Sequence, residues 1–126
     1  MSDFIVSYQG AKNIHVSYTE ITKVHCAFHL ERVTGLDVSH VTAQSDSFGF
    51  MMYGSLNTGT KTIASSNFTG LFGWGIHELD TSINGPISVT GNYFNGNGLG
   101  DVHLHTASKI VVTDDATSRI LDAAPR

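Results

Sequence analysis

The sequence predicts an all-β solenoid of about five coils, because apolar positions recur at intervals of 22 to 26 residues. Two parallel series show this periodicity, and the offset between them stays at 12 or 13 residues. The first series is Val16, Val38, Ile63, Val89 and Val112, and the second is Phe28, Phe50, Ile76 and Val102. Self-similarity at such a period is typical of stacked repeats, in which each coil buries its apolar side chains against its neighbours.

Short strands joined by tight turns are expected within each coil. Apolar and polar residues alternate around the first series, as in residues 87–89, which is the period of a half-buried strand. Residues 66–70 and 91–96 hold the same place after that strand and contain the turn formers Ser, Asn and Gly. We expect Asn67 and Asn92 to adopt the left-handed turn conformation and the rings of Phe68 and Phe94 to return to the core.

The domain organisation follows from the span of the repeat. Residues 12–113 are predicted to form the solenoid, residues 1–11 a partial leading coil or extension, and residues 114–126 a C-terminal tail or cap. A stack this short exposes apolar side chains and unpaired strand edges at both ends. We therefore expect the chain to be part of a longer protein or to associate with copies of itself.

Composition excludes several classes of partner. Charged residues make up only 14% of the chain, the net charge is −4, and lysine and arginine are scattered, so a nucleic-acid partner is not expected. The chain contains no apolar run long enough for a membrane span and no signal-peptide pattern at its start. Cys26 is the single cysteine, so it forms no intramolecular disulfide, and we expect it to be a small buried residue.

The coil length, the pattern I-x-V-x-x-N-x-F in residues 87–94 and the glycine after the turn resemble the right-handed parallel β-helix repeat. This repeat belongs to the pectate-lyase-like superfamily, which includes bacteriophage tailspikes, and the resemblance covers residues 12–113. It implies an extracellular or virion-surface location, a carbohydrate polymer as partner and a homo-oligomer or a longer parent chain. It requires no cofactor, and any enzyme activity would be that of a polysaccharide lyase or a glycoside hydrolase.

The outward positions of the second series form the candidate binding face. With Phe28 and its equivalents facing inward, alternation places His29, Met51, His77 and His103 outward in one row. The next outward row is Glu31, Tyr53, Leu79 and His105. Trp74 has the parity of the inward Ile76, and we therefore expect it in the core.

Three interpretations of these rows remain open. A groove for a glycan would use His29, Glu31, Tyr53, His77, His103 and His105 for stacking and hydrogen bonds. A divalent metal such as Zn²⁺ would be held by three imidazoles, those of His77, His103 and His105. Alternatively, the residues pack against a long loop or a neighbouring chain and bind nothing.

Catalysis would require carboxylates, because glycoside hydrolysis commonly uses a pair of them. Glu78 falls on the inward side, where burial would raise its pKa and suit a general acid, unless a bulge near Gly75 turns it toward water. Asp114 and Asp115 follow a strand directly, as an aspartate pair does in β-helical polygalacturonases. The companion motifs of those enzymes, and the arginine motif of the pectate lyases, do not occur in this sequence.

The sequence therefore predicts a segment that binds a surface polysaccharide, with cleavage left open. The alternative is a structural or assembly module without catalytic activity.

Overall fold

A computed structural model of the chain describes residues 3–7, 11–31, 33–52, 58–78, 87–104, 109–113 and 120–122. These residues form parallel strands and contain no helix, which confirms the predicted all-β solenoid. They amount to about three turns, fewer than the five expected, because the repeat series counts the incomplete coils at both ends. The strands are β1 (Ile5–Ser7), β2 (Ala11–Thr22), β3 (Cys26–Leu30), β4 (Val33–Gln44), β5 (Phe48–Met52), β6 (Thr58–Ala64), β7 (Asn67–Thr69), β8 (Trp74–Glu78), β9 (Ile87–Thr90), β10 (Tyr93–Asn95), β11 (Gly100–Leu104), β12 (Ile110–Thr113) and β13 (Ile120–Asp122).

The strands assemble into two parallel sheets. The six-stranded sheet has the order β1-β3-β5-β8-β11-β13. The seven-stranded sheet has the order β10-β7-β4-β6-β9-β12, and β2 pairs with β4. β1 lies within the segment expected to lead into the solenoid and β13 within the expected tail, and both extend the six-stranded sheet.

Both apolar series are vertical columns of the structure. In the seven-stranded sheet Val16 pairs with Val38, and the same alignment continues to Ile63, Val89 and Val112. In the six-stranded sheet the aligned residues are Phe28, Phe50, Ile76 and Val102. The rings of Phe28 and Phe50 stack with their centroids 4.3 Å apart, so the columns of successive coils form one continuous core.

Successive coils turn at corners that use a left-handed backbone, and two columns of such residues run through four coils. The first corner is the column Tyr18, His40, Ser65 and Gly91, with φ between 49° and 66°, and the second is Lys23, Ser45, Gly70 and Gly96, with φ between 57° and 66°. The expectation that asparagine occupies these positions is therefore wrong. Asn67 lies in β7 with an exposed side chain, two residues after the corner residue Ser65, and Asn92 lies one residue after Gly91. The expected return of an aromatic ring is confirmed, since the rings of Phe68 and Phe94 are buried and stack 5.1 Å apart.

Buried asparagines connect the corners of adjacent coils. Ser66 N–H donates to Asn92 Oδ1 at 2.9 Å, and Asn92 Nδ2 donates to the Ile63 carbonyl at 3.0 Å. Asn97 repeats this arrangement at the second corner, where its Oδ1 accepts from Leu71 N–H and its Nδ2 donates to the Phe68 carbonyl. A corner leaves backbone groups outside the strand ladder, and these amides satisfy them from the next coil.

Asp46 follows its corner residue as Asn97 does two coils later. Its Oδ1 accepts from Val24 N–H at 3.0 Å, but its Oδ2 has no hydrogen-bond partner in the described part of the chain. Burial raises the pKa of this carboxyl group from 3.8 to about 6, against the lowering effect of the Val24 and Lys23 amides. The carbonyl equivalent to that of Phe68 is Ile21 O, and only a protonated carboxyl group can donate to it as an amide does.

The charged residues Lys61 and Glu78 occupy inward columns. Lys61 aligns with Leu36 and Ile87 and is 2% exposed, whereas Glu78 aligns with Met52 and is fully buried. The expectation that a bulge turns Glu78 outward is wrong, because β5 and β8 stay in register through this residue.

The two charges belong to the same coil. Lys61 lies in the first strand of that coil and Glu78 at the end of its last strand, and both side chains are buried in the lumen. Buried charges are generally paired, and we therefore expect the ammonium and carboxylate groups to compensate each other.

Replacing Asp46 with asparagine should stabilise the fold at neutral pH. The amide keeps the Oδ1 acceptor and adds a donor, whereas the buried aspartate must lose its proton above pH 6. Because the folded pKa lies above the unfolded value, the gain should be roughly 1–3 kcal/mol at pH 7 and vanish toward pH 4. Urea denaturation of both proteins from pH 4 to 7 measures this difference, and a pH-independent difference would contradict the assignment.

Removing one of the two buried charges, Lys61 or Glu78, should destabilise the fold more than removing both. Lys61→Leu or Glu78→Met alone should cost about 3–5 kcal/mol of unfolding free energy, because each leaves an uncompensated buried charge. The double variant carries the residue types of Leu36 and Met52 in the same columns, and it should recover most of that loss. Denaturant unfolding measures the cycle, with the exposed Lys109→Met as control. Strictly additive losses would show that the two charges do not interact.

Candidate functional site

The predicted row of outward residues is present on the six-stranded sheet. His29 pairs with Met51, Met51 with His77, and His77 with His103, so the four side chains follow one another across β3, β5, β8 and β11. All four are partly buried, while the residues beside them in each strand are buried in the core. The sheet therefore presents one continuous row of partly buried side chains along the solenoid.

Two aromatic residues join this row from the start of the strands. Trp74 was expected in the core, but it is only partly buried and its ring stacks on His103 with centroids 5.1 Å apart and an interplanar angle of 23°. The alternation breaks because Gly75 and Ile76 are both buried, and a Cβ on Gly75 would meet the Asp101 carbonyl at 2.6 Å. Phe48 occupies the equivalent position one coil earlier and lies 5.6 Å from the His77 ring. We call the set His29, Phe48, Met51, Trp74, His77 and His103 the histidine face.

His77 packs among the other rings of the histidine face. Its ring lies 4.8 Å from that of His103 and also neighbours Trp74 and Phe48. Burial, and then the charge of His103, lowers the pKa of His77 from 6.5 to about 4. His77 is therefore neutral near pH 7, where a ring offers one donor and one acceptor nitrogen. The buried Nδ1 atoms of both rings have no hydrogen-bond partner among the described residues.

A cluster of potential metal ligands lies at the β3 end of the histidine face. Asp3 Oδ2 lies 3.2 Å from His29 Nδ1, and Asp3 Oδ1 lies 3.3 Å from His25 Nδ1. The backbone N–H of Cys26 donates to Asp3 Oδ1 at 2.9 Å. On its far side, His29 Nε2 lies 3.6 Å from Glu31 Oε2. Both nitrogens of one imidazole thus have a carboxylate beside them.

Cys26 is buried, as expected from the sequence, and its sulfur lies within this cluster. Its Sγ is 3.3 Å from Met51 Sδ and 3.4 Å from His25 Nδ1. Burial, followed by the nearby Asp3 and Asp46 carboxylates, raises the pKa of the thiol to about 12. The free thiol is therefore a poor nucleophile at neutral pH.

The other predicted site residues divide into two groups. Tyr53, His105, Asp114 and Asp115 lie outside the described residues, so the predicted three-histidine metal site has two described members, His77 and His103. Glu78 is described and points into the lumen, away from the histidine face. Of the predicted site residues, the structure therefore places four on the same side of the six-stranded sheet: His29, Glu31, His77 and His103.

Sequence reasoning missed Asp3, His25, Phe48 and Trp74 as members of this surface. Asp3 lies one repeat period before Cys26, in a segment that the sequence pattern identified only as a partial leading coil or extension. For His25 a signal was present, since it immediately precedes the strand that contains His29. For Trp74 the signal was the adjacent glycine, because a strand can change its facing where a side chain is absent.

A separate depression of about 310 Å³ lies on the seven-stranded sheet. It is lined by Asn13, His15, Gly35, Leu36, Asp37 and Thr62. His15 Nδ1 and Asp37 Oδ2 are 3.5 Å apart there, but both side chains are more than half exposed. An exposed pair of this kind contributes little binding energy.

No protein-family model, curated protein or solved structure matches this chain. Among the described residues, no helix has the length and apolar character needed to cross a membrane.

A titration of His77 should show a midpoint near pH 4, because burial disfavours the charged ring. Its contribution to stability is present above pH 6.5 and is lost as the pH falls toward 4, since the folded pKa lies below the unfolded value. Proton NMR of the ring resonances measures the midpoint. His103→Phe keeps a ring but removes the neighbouring charge, so the midpoint should rise modestly. A midpoint near 6.5 would show that the ring is hydrated.

Proposed function

We propose that this chain binds an extended, uncharged polysaccharide along the histidine face. The observation that carries the proposal is the partly exposed indole of Trp74, stacked on His103 and continued by His77 and Phe48. Large rings with an apolar body and a polar edge are favoured at binding surfaces, where they supply contact area at a low entropic cost.

The direction in which the outward side chains follow one another favours a polymer as the ligand. The side chains of His29, Met51, His77 and His103 come from successive strands, which lie about 4.8 Å apart in the hydrogen-bonding direction. The row therefore runs along the solenoid and repeats its chemistry from coil to coil. An extended chain of similar units matches such a surface better than a single small molecule does.

Charge favours a neutral sugar. The protein carries a net charge of −4, and His77 is uncharged near pH 7. The carboxylates of Asp3 and Glu31 flank one end of the face through their contacts with His29. Neutral imidazoles can exchange hydrogen bonds with sugar hydroxyl groups, whereas this environment repels a polyanion.

The proposal is binding, with cleavage left open, because Glu78 lies inside the lumen and the other candidate carboxylates, Asp114 and Asp115, lie outside the described residues. It also draws on the resemblance of the repeat to the pectate-lyase-like superfamily and the tailspikes. With it we propose a right-handed coil and an extracellular or virion-surface location.

Trp74 is the only tryptophan of the chain, so its fluorescence reports on the proposed face directly. Titration with neutral polysaccharides such as dextran, xylan and galactomannan should change the emission of this residue for at least one polymer. Trp74→Ala should lower the affinity for that polymer about tenfold, as expected for the loss of one aromatic contact. Affinity electrophoresis in gels containing the polysaccharide measures the variant, which has no intrinsic tryptophan signal.

Two controls separate binding from folding. Tyr18→Ala removes an exposed ring from the corner next to the other sheet and should leave the affinity unchanged. His103→Ala should weaken binding and keep the far-ultraviolet β signal. Equal loss of affinity in the Tyr18 variant, or no binding by any polymer of the panel, would contradict the proposal.

A second candidate is an assembly module, and one observation favours it. Phe72 and Leu99 are 73% and 54% exposed, and they lie at the same corner of adjacent coils, where Leu99 N–H donates to the Gly73 carbonyl. Exposed apolar pairs of this kind occur at protein contacts. Light scattering of the wild-type chain and of Phe72→Ser tests the alternative, since only an assembly through this corner would lose mass in the variant.

A further inference from the structure

We infer a binding site for a zinc-class divalent ion at the β3 end of the histidine face, formed by Asp3, Cys26 and His29. The three side chains each offer one ligand atom, and these atoms lie within 4.8 Å of one another. Carboxylate, thiolate and imidazole are the ligand types that zinc binds in proteins, and the Cys26 thiol would release its proton to solvent as the ion binds. This site differs from the three-histidine site expected from the sequence, and it does not depend on polysaccharide binding.

The spacing within the cluster suits a tetrahedral ion. Zinc–sulfur bonds of about 2.3 Å and zinc–nitrogen or zinc–oxygen bonds of about 2.0 Å place neighbouring ligand atoms about 3.3–3.6 Å apart. Asp3 Oδ2 and His29 Nδ1 are 3.2 Å apart, and the ligand atoms of all three residues lie within 4.8 Å of one another. Small movements of these side chains would bring three ligands around one centre.

The surroundings of His29 also fit a metal ligand. A histidine that binds a metal usually directs its second ring nitrogen toward a carboxylate, which fixes the orientation of the ring. His29 Nδ1 faces Asp3, while its Nε2 lies 3.6 Å from Glu31 Oε2. Glu31 therefore lies on the side of the His29 ring opposite the metal, where it can orient the ring as a positioning residue.

The site is enclosed on one side and open on the other. The side chains of His29 and Asp3 are 12% and 14% exposed, and Cys26 is fully buried. His25 is 46% exposed at the mouth of the cluster. The fourth coordination position therefore faces His25 and solvent, which gives the ion an entry path.

The closeness of Met51 raises the question of copper, because thioether sulfur is a copper ligand. Met51 Sδ lies 3.3 Å from Cys26 Sγ. The carboxylate of Asp3, which contacts both histidines, favours a borderline ion such as Zn²⁺ over the soft Cu⁺. We therefore assign the site to the zinc class.

Titration of the reduced full chain with Co²⁺, a coloured substitute for Zn²⁺, tests the site. We expect one equivalent to bind, with a thiolate-to-cobalt charge-transfer absorption that Zn²⁺ removes by competition. Cys26→Ser should lose this absorption, and His29→Ala should lower the affinity at least a hundredfold. Asp3→Asn should also weaken binding, and it is a mild change because the amide oxygen can still accept from Cys26 N–H.

Matched variants make the result decisive. Glu31→Gln should lower the affinity about tenfold, as is typical for residues that orient a metal-binding side chain. His15→Ala should leave the affinity unchanged, because His15 lies on the seven-stranded sheet, outside the cluster. The inference is overturned if the folded chain binds no Co²⁺ or Zn²⁺, if binding survives both Cys26→Ser and Asp3→Asn, or if the chain takes up Cu⁺ alone.

Discussion

Each coil of this chain can bury its apolar side chains only against the equivalent side chains of the neighbouring coils, and the whole structure depends on that in-register stacking. A shift by one residue would send every inward side chain of a strand outward. The stacking also sets side-chain size across the lumen. Gly49 and Gly75 are held small because a Cβ at these positions would meet the Phe68 and Phe94 rings within 3 Å. The rings that one sheet contributes to the core therefore restrict which residue types fit in the strands of the other sheet.

The same stacking explains which features could be predicted from the sequence. The two apolar series align as expected because burial selects the same residue class in every coil, as with Val38 and Ile63. The corners escaped prediction because no single residue type marks them. Tyr18, His40 and Ser65 adopt the left-handed conformation that glycine adopts in later coils, so the backbone at these positions is imposed by the stack rather than by local preference.

The candidate site was predictable to the extent that it follows the repeat. His77 and His103 lie on one face because they share a position in successive coils. Asp3 lies in the incomplete leading coil, and its contacts with His25 and His29 arise only when the leading strand pairs with β3. Because only part of the leading coil is present, its apolar pattern is short, so a periodic analysis identifies the shared surface and misses the side chains added at its edge.

Burial gives the two ends of the histidine face different characters. Around His77 the neighbours are aromatic rings, and the imidazole is kept neutral. Around His29 the neighbours are carboxylates and sulfur, which are charged or polarisable groups. A single row of outward positions thus contains an apolar platform and a polar pocket, although the backbone beneath both is the same parallel sheet.

The left-handed corners have a consequence for how such a surface can change. The side chains at the first corner project away from the lumen, as the 79% exposure of Tyr18 and its 4.5 Å stacking on His40 show. At Gly91 of the same column, an added Cβ would meet no atom within 4 Å. Substitution there affects only the local backbone preference and leaves the core and the register untouched. The corners are therefore positions where new surface chemistry can evolve, coil by coil, on a scaffold whose interior stays constant.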